Sequence, residues 1–216
     1  MSFAGQIQGQ CSRGCDPFEA EAWSLVRGDI DESLREMVLA GDLNLLSCPG
    51  CSELFFPEVT LIYQEPPAGL LAFVLPEAYR KDEASWREKM RRDYDQLRSS
   101  ISGGMPLDAE PLVFFGLEPL RELLHAEDDL EDEVRVAKLL AKEIGLSMLP
   151  IQRSFARSHR LPHLVPVTGK RGAAFSRTAA VAGLKALLKA NDRLESYARW
   201  LELIEKDASP VPLPPK

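Results

Sequence analysis

Four cysteines constrain this chain more than any other residues. They are its only ones in 216 residues and fall in two close pairs, Cys11-Ser-Arg-Gly-Cys15 and Cys48-Pro-Gly-Cys51, with 32 residues between the pairs. Two thiolates two or three residues apart can grip one metal ion from a single tight turn, and two such turns complete a tetrahedral site. Pro49 and Gly50 pre-set a sharp backbone path in the second turn, so that amide N–H groups can point at the sulfurs. We expect Cys11, Cys15, Cys48 and Cys51 to hold one structural zinc ion. Four sulfurs close the coordination sphere to water, which argues against Lewis-acid catalysis at such a site. Close thiol pairs also do redox work, and unligated buried thiols are a third reading. Structural zinc is preferred, because no helix follows Cys48-Pro-Gly-Cys51 to lower a thiol pKa.

Strand signals flank both turns. Phe18, Ala20 and Ala22 alternate with Glu19 and Glu21, the period-2 pattern of a half-buried strand. Asp29 or Asp31 can cap a short helix with Ile30, Leu34, Met37 and Val38 on one face and Gly41 just past its end. Leu43 to Ser47 enters the second turn and Leu54 to Tyr63 leaves it. Glu65-Pro-Pro-Ala-Gly69 then marks a turn before the apolar strand Leu70 to Leu75.

These stretches carry a resemblance. Cys48-Pro-Gly-Cys51 between hydrophobic strands resembles the CpXC family of bacterial and archaeal proteins, named for two Cys-Pro-x-Cys turns. So do Phe18-Glu-Ala-Glu-Ala-Trp23, Glu36-Met-Val-Leu-Ala-Gly-Asp-Leu-Asn44, Leu61-Ile-Tyr63, Leu70-Leu-Ala-Phe-Val-Leu-Pro76 and Leu112-Val-Phe-Phe-Gly-Leu-Glu-Pro-Leu-Arg121. The resemblance spans residues 5–145 and leaves the C-terminal third unmatched. It implies a fold and a metal site but no reaction, because the family has no established activity. The first turn departs from the family pattern: it is one residue longer, Cys-x-x-x-Cys, and lacks the proline.

Further along, Trp86, Met90, Tyr94, Leu97 and Ile101 lie on one face of a charged helical segment over 81–102. Ser102 to Asp108 breaks it, Leu112 to Leu117 reads as a buried strand, and Glu118 to Ile144 as a long helix. The acidic run Glu127 to Glu133 is expected to interrupt or kink that helix. Three prolines in Met148 to Val167 suggest a loop or extended wrapping segment. Ser176 or Thr178 can cap a helix through Val181, Leu184, Leu187 and Leu188, and a second can run through Leu194, Tyr197, Trp200, Leu201 and Ile204. Ser209 to Lys216 reads as a polyproline-like tail. The expected fold is α+β: a zinc-ribbon-like module with a small antiparallel sheet, elaborated by helices, plus a mainly helical C-terminal extension. The expected parts are a four-cysteine β-rich module at 1–80, a helix-strand-helix part packed on it at 81–147, a basic extension at 148–208 and the Pro-rich tail at 209–216.

Charge divides along the chain. Residues 1–80 hold 4 basic and 12 acidic side chains, 81–150 hold 10 and 16, and 151–216 hold 12 and 5. From Ile144 to Asn191 there are eight Lys or Arg and no acid. Such a tract needs an electrostatic partner. Arg153, Arg157, Arg160, Lys170, Arg171 and Arg177 are candidate contacts to the acidic body, to a protein partner or second subunit, or to phosphates of nucleic acid. Docking or assembly is preferred, because charge alone supports the nucleic-acid reading.

Nothing else marks an active site. Val167-Thr-Gly-Lys-Arg-Gly172 lacks the spacing of a phosphate loop. His159 and His163 stand four apart, but Pro162 lies between them, and His125 sits alone in a leucine-rich helix. We assign no catalytic residue and no organic cofactor site. No run of 18 apolar residues suggests a membrane span. The first residues lack the basic and apolar regions of a secretory signal, so a cytoplasmic chain is expected. The leading expectation is a non-enzymatic, zinc-stabilised interaction or scaffold protein. Alternatives are a nucleic-acid-contacting regulator, a thiol redox protein, or an enzyme whose site is assembled from distant residues.

Overall fold

The computed structural model describes residues 1–100, 110–169, 175–207 and 211, and forms two compact units, Met1–Leu124 and His125–Lys216. The first holds β1 (Phe3–Gly9), β2 (Phe18–Arg27), α1 (Glu32–Ala40), β3 (Leu46–Ser47), β4 (Leu54–Phe55), β5 (Leu61–Glu65), β6 (Leu70–Leu75), α2 (Glu83–Ser100) and β7 (Leu112–Phe115). Five of these strands make one sheet in the order β1-β2-β5-β6-β7. β1–β2 and β5–β6 pair antiparallel, whereas β2–β5 and β6–β7 pair parallel. The expected antiparallel sheet is therefore a mixed one. The physical reason lies in the connections: α1 and the β3–β4 hairpin lead from β2 to β5, and α2 leads from β6 to β7, long enough to return each strand in the same direction.

The apolar run of β6 follows from burial on both faces. Leu70, Ala72 and Val74 pack with Leu34 and Val38 of α1 and with Leu120 and Leu124. On the opposite face, Leu75 and Phe73 meet Met90 and Trp86 of α2. Gly41 ends α1 in the left-handed conformation at φ 83°, a position that favours glycine. Asn44, also left-handed at φ 64°, substitutes for a strand neighbour. Its Oδ1 accepts from the Trp23 N–H at 2.7 Å and its Nδ2 donates to the Trp23 carbonyl at 2.9 Å. On β5, opposite Val26 of β2, Tyr63 is fully buried and donates to Glu65, which also pairs with Arg35 at 2.9 Å.

α3 (Glu118–Glu143) runs without a break through the acidic stretch that was expected to interrupt it. Glu131–Lys138 and Asp132–Arg135 pairs on its surface offset the like charges. The second unit continues with β8 (Ser147–Pro150), α4 (Arg153–His159), β9 (Leu164–Val167), α5 (Arg177–Ala190) and α6 (Glu195–Lys206). The segment expected to be an irregular wrap is thus an antiparallel strand pair, β8–β9, enclosing a short helix. Proline is tolerated there because the sheet has only two strands, so Pro150 and Pro166 need not donate on an outer edge. Ser176 caps α5, accepting from the Ala179 N–H at 3.5 Å. Trp200, Tyr197, Leu184 and Leu187 fill the core with Val165 and Ile151. The Trp200 indole donates to the Pro162 carbonyl at 3.0 Å. The expected break Ser102–Asp108, Ile101, and the tail apart from Val211 lie outside the described residues.

Candidate metal centre

The two cysteine pairs arrive from different elements. Cys11 and Cys15 lie on the loop joining β1 to β2, which pair as far as Gly9 and Phe18. Gly14 turns that loop at φ 76°, and its N–H bonds to the Cys11 carbonyl at 3.0 Å. Cys48 and Cys51 lie on the turn between β3 and β4, where Leu46 pairs Phe55 and Ser47 pairs Leu54. There the Cys48 N–H bonds to the Glu53 carbonyl and the Ser52 N–H to the Cys48 carbonyl, both at 2.8 Å.

Three contacts hold the turns together. Arg13 pairs with Glu53 at 2.5 Å. Phe18 meets Phe55 edge to face with ring centroids 6.1 Å apart. Gly50 backs onto Cys15, so that a Cβ there would lie 3.6 Å from its Sγ. The sequence does not predict these partners, although the aromatic residues at the start of β2 and the end of β4 are a readable signal.

The four Sγ atoms all lie within 4.8 Å of one another. Cys11 and Cys48 are buried and Cys15 and Cys51 half-buried. All four are free thiols, the Sγ atoms of Cys11 and Cys51 being 3.6 Å apart. A tetrahedral ion with metal–sulfur bonds of about 2.3 Å needs sulfurs about 3.8 Å apart, so the set fits one thiolate-bound ion. Electrostatics agree with that fit. Burial pulls the Cys48 thiol upward, but the N–H groups of Gly50 and Cys51 outweigh it and hold it down at about 7. Hydrogen bonding among the crowded sulfurs, to Cys51 and Cys48 first, together with burial pushes Cys15 up to about 12. Cys11 receives the Arg13 N–H at 3.4 Å, which favours its thiolate, yet burial and the neighbouring sulfurs raise it overall. Cys48 is therefore the readier thiolate, and Cys11 and Cys15 need a cation before they deprotonate.

The basic candidates do not converge in the same way. Arg157 of α4 is largely buried and pairs with Glu127 of the same unit. Arg153 approaches the His163 ring, Nη2 to Nε2 at 3.4 Å. Arg177 donates to the Ile204 carbonyl. Arg160 follows α4 in the left-handed conformation and is exposed. Lys170 and Arg171 lie outside the described residues. His163 sits 3.6 Å from Glu131, whereas the exposed His159 bonds to the Phe155 carbonyl. Among the described residues, no helix is long and apolar enough to cross a membrane.

The model of the CpXC protein family matches residues 10–138, which include both cysteine pairs. No curated protein and no solved structure matches.

Proposed function

Because the chain belongs to the CpXC family and brings four thiols to one point, we propose that it is a zinc-stabilised interaction protein. Cys11, Cys15, Cys48 and Cys51 hold one ion, and zinc suits an all-sulfur, closed tetrahedral set. The observation that carries this reading is the mutual approach of all four Sγ atoms within 4.8 Å. The ion's role is structural. β3 and β4 are two residues each, too short to hold a hairpin on pairing alone, and the ion fastens that hairpin to the β1–β2 loop in a zinc-ribbon-like arrangement. A four-thiolate site requires reduced cysteines, which suits a cytoplasmic chain.

The interaction role rests on two features. The closed ligand set leaves no metal position for substrate, and charge is polarised between the units. Residues 1–124 carry 21 acidic and 11 basic side chains, and 125–216 carry 12 and 15. Native mass spectrometry of the purified chain, with thiol titration before and after chelation, tests the metal reading. One zinc per chain and four thiols that react only after chelation are expected. A metal-free chain with a disulfide across either pair would overturn it in favour of thiol redox chemistry.

A further inference from the structure

A cavity of about 590 Å³ opens in the first unit, away from the sulfurs. That volume lies in the range of small-molecule sites. Leu43, Leu61, Val74, Leu75 and Phe115 lie buried beneath it at the ends of β5, β6 and β7, and its accessible apolar surface comes from Phe56, Val59 and Leu117. β6 and β7 run parallel and both end here. The crevice beyond the carboxyl ends of parallel strands is where such sheets place ligands.

The rim decides the chemistry of the ligand. Arg80 and Arg121 are its cations, and both are committed. Arg80 clasps Glu77 at 2.5 and 3.0 Å and donates to the Phe115 carbonyl at 2.9 Å. Arg121 pairs with Glu118 at 3.1 Å. α3 also begins at this rim, but Glu118 already occupies its first turn and Pro119 has no N–H to offer, so an anion gains little there. Glu58 and Glu122 remain. Both are exposed on the cavity wall, and neither has an ion-pair partner among the described residues. The cavity thus joins an apolar surface to two uncompensated carboxylates.

We propose that this cavity binds a small organic cation with an apolar body, the body seated on Phe56, Val59 and Leu117 and the charge met by the carboxylates of Glu58 and Glu122. The hairpin carrying Cys48 and Cys51 is bracketed in sequence by the wall residues 43–44 and 56–59. The metal centre therefore steadies the wall on which Glu58 stands.

The test titrates the chain as purified, metal included, with octylammonium, octanoate and octanol while backbone amide NMR signals are followed. Octylammonium should shift the amides of residues 41–44, 56–59 and 115–122 and saturate, and octanoate should not. Replacing both carboxylates (Glu58→Gln with Glu122→Gln), exposed positions that leave the fold intact, should weaken octylammonium binding roughly fivefold to tenfold. Val59→Trp, which fills the cavity, should abolish it. Equal binding of octanoate or octanol, unchanged affinity in the double variant, or shifts confined to other residues would overturn the proposal.

Discussion

Cys11 and Cys51 stand 40 residues apart in sequence, yet their sulfurs approach to 3.6 Å. That distance is far beyond the ~2.05 Å of a disulfide and close to the edge of a tetrahedron of sulfurs around one ion. Each cysteine should therefore be indispensable to metal retention. Cys11→Ser, Cys48→Ser and Cys51→Ser should each lower affinity by more than the roughly 10–100-fold that loss of an outer hydrogen-bond partner costs. Competition against a chromophoric chelator measures this. Retention of wild-type affinity by any one of them would remove that sulfur from the ligand set.

Gly183 packs α5 directly against β9. A Cβ at this position would lie 2.4 Å from the Pro166 carbonyl oxygen, a backbone atom that cannot swing away. Gly183→Ala improves helix propensity by about 1 kcal/mol, but the overpacking it forces exceeds that gain. A net loss of about 2 kcal/mol is expected in urea unfolding of the second unit, with the metal content unchanged.

His163 makes the second unit sensitive to acid. Burial pushes its imidazole down to about 4, the Arg153 guanidinium acts in the same direction, and Glu131 opposes both. Above pH 6.5 the folded and unfolded chains both carry it neutral, so it contributes nothing. As pH falls from 6.5 towards 4, only the unfolded chain takes up the proton, and stability drains away. Wild type should lose about 2–3 kcal/mol more than His163→Gln between pH 7 and pH 4.5. Denaturant titrations at the two pH values provide the comparison. Loss of metal at acid pH affects both chains alike and cancels in the difference.

The parts legible in the sequence are those fixed by short-range rules. β2 showed in the alternation of Phe18 to Ala22, the end of α1 in Gly41, the cap of α5 in Ser176, and the cysteine turns in their spacing. What stayed hidden depends on distant partners. The parallel pairing of Leu25 with Ile62 and of Ala72 with Leu112 leaves no local mark. β1 carries only Phe3 and Ile7 as large apolar residues, set between glycines and glutamines, too weak a pattern for a strand. β8 and β9 were masked by their own prolines, which a two-stranded pair accommodates. The acidic residues of α3 looked disruptive because their partners, Arg157 for Glu127 and Ser196 for Glu133, lie 30 and 63 positions away. The cavity was invisible for the same reason, since its lining gathers residues from 41–44, 56–61, 74–80 and 115–122.

The most direct test of a four-sulfur centre is X-ray absorption at the metal edge of the purified chain. A single shell of four sulfurs at about 2.3 Å from zinc is expected. A shell in which oxygen or nitrogen replaces any sulfur, or a chain without metal whose cysteines are joined as disulfides, would contradict it.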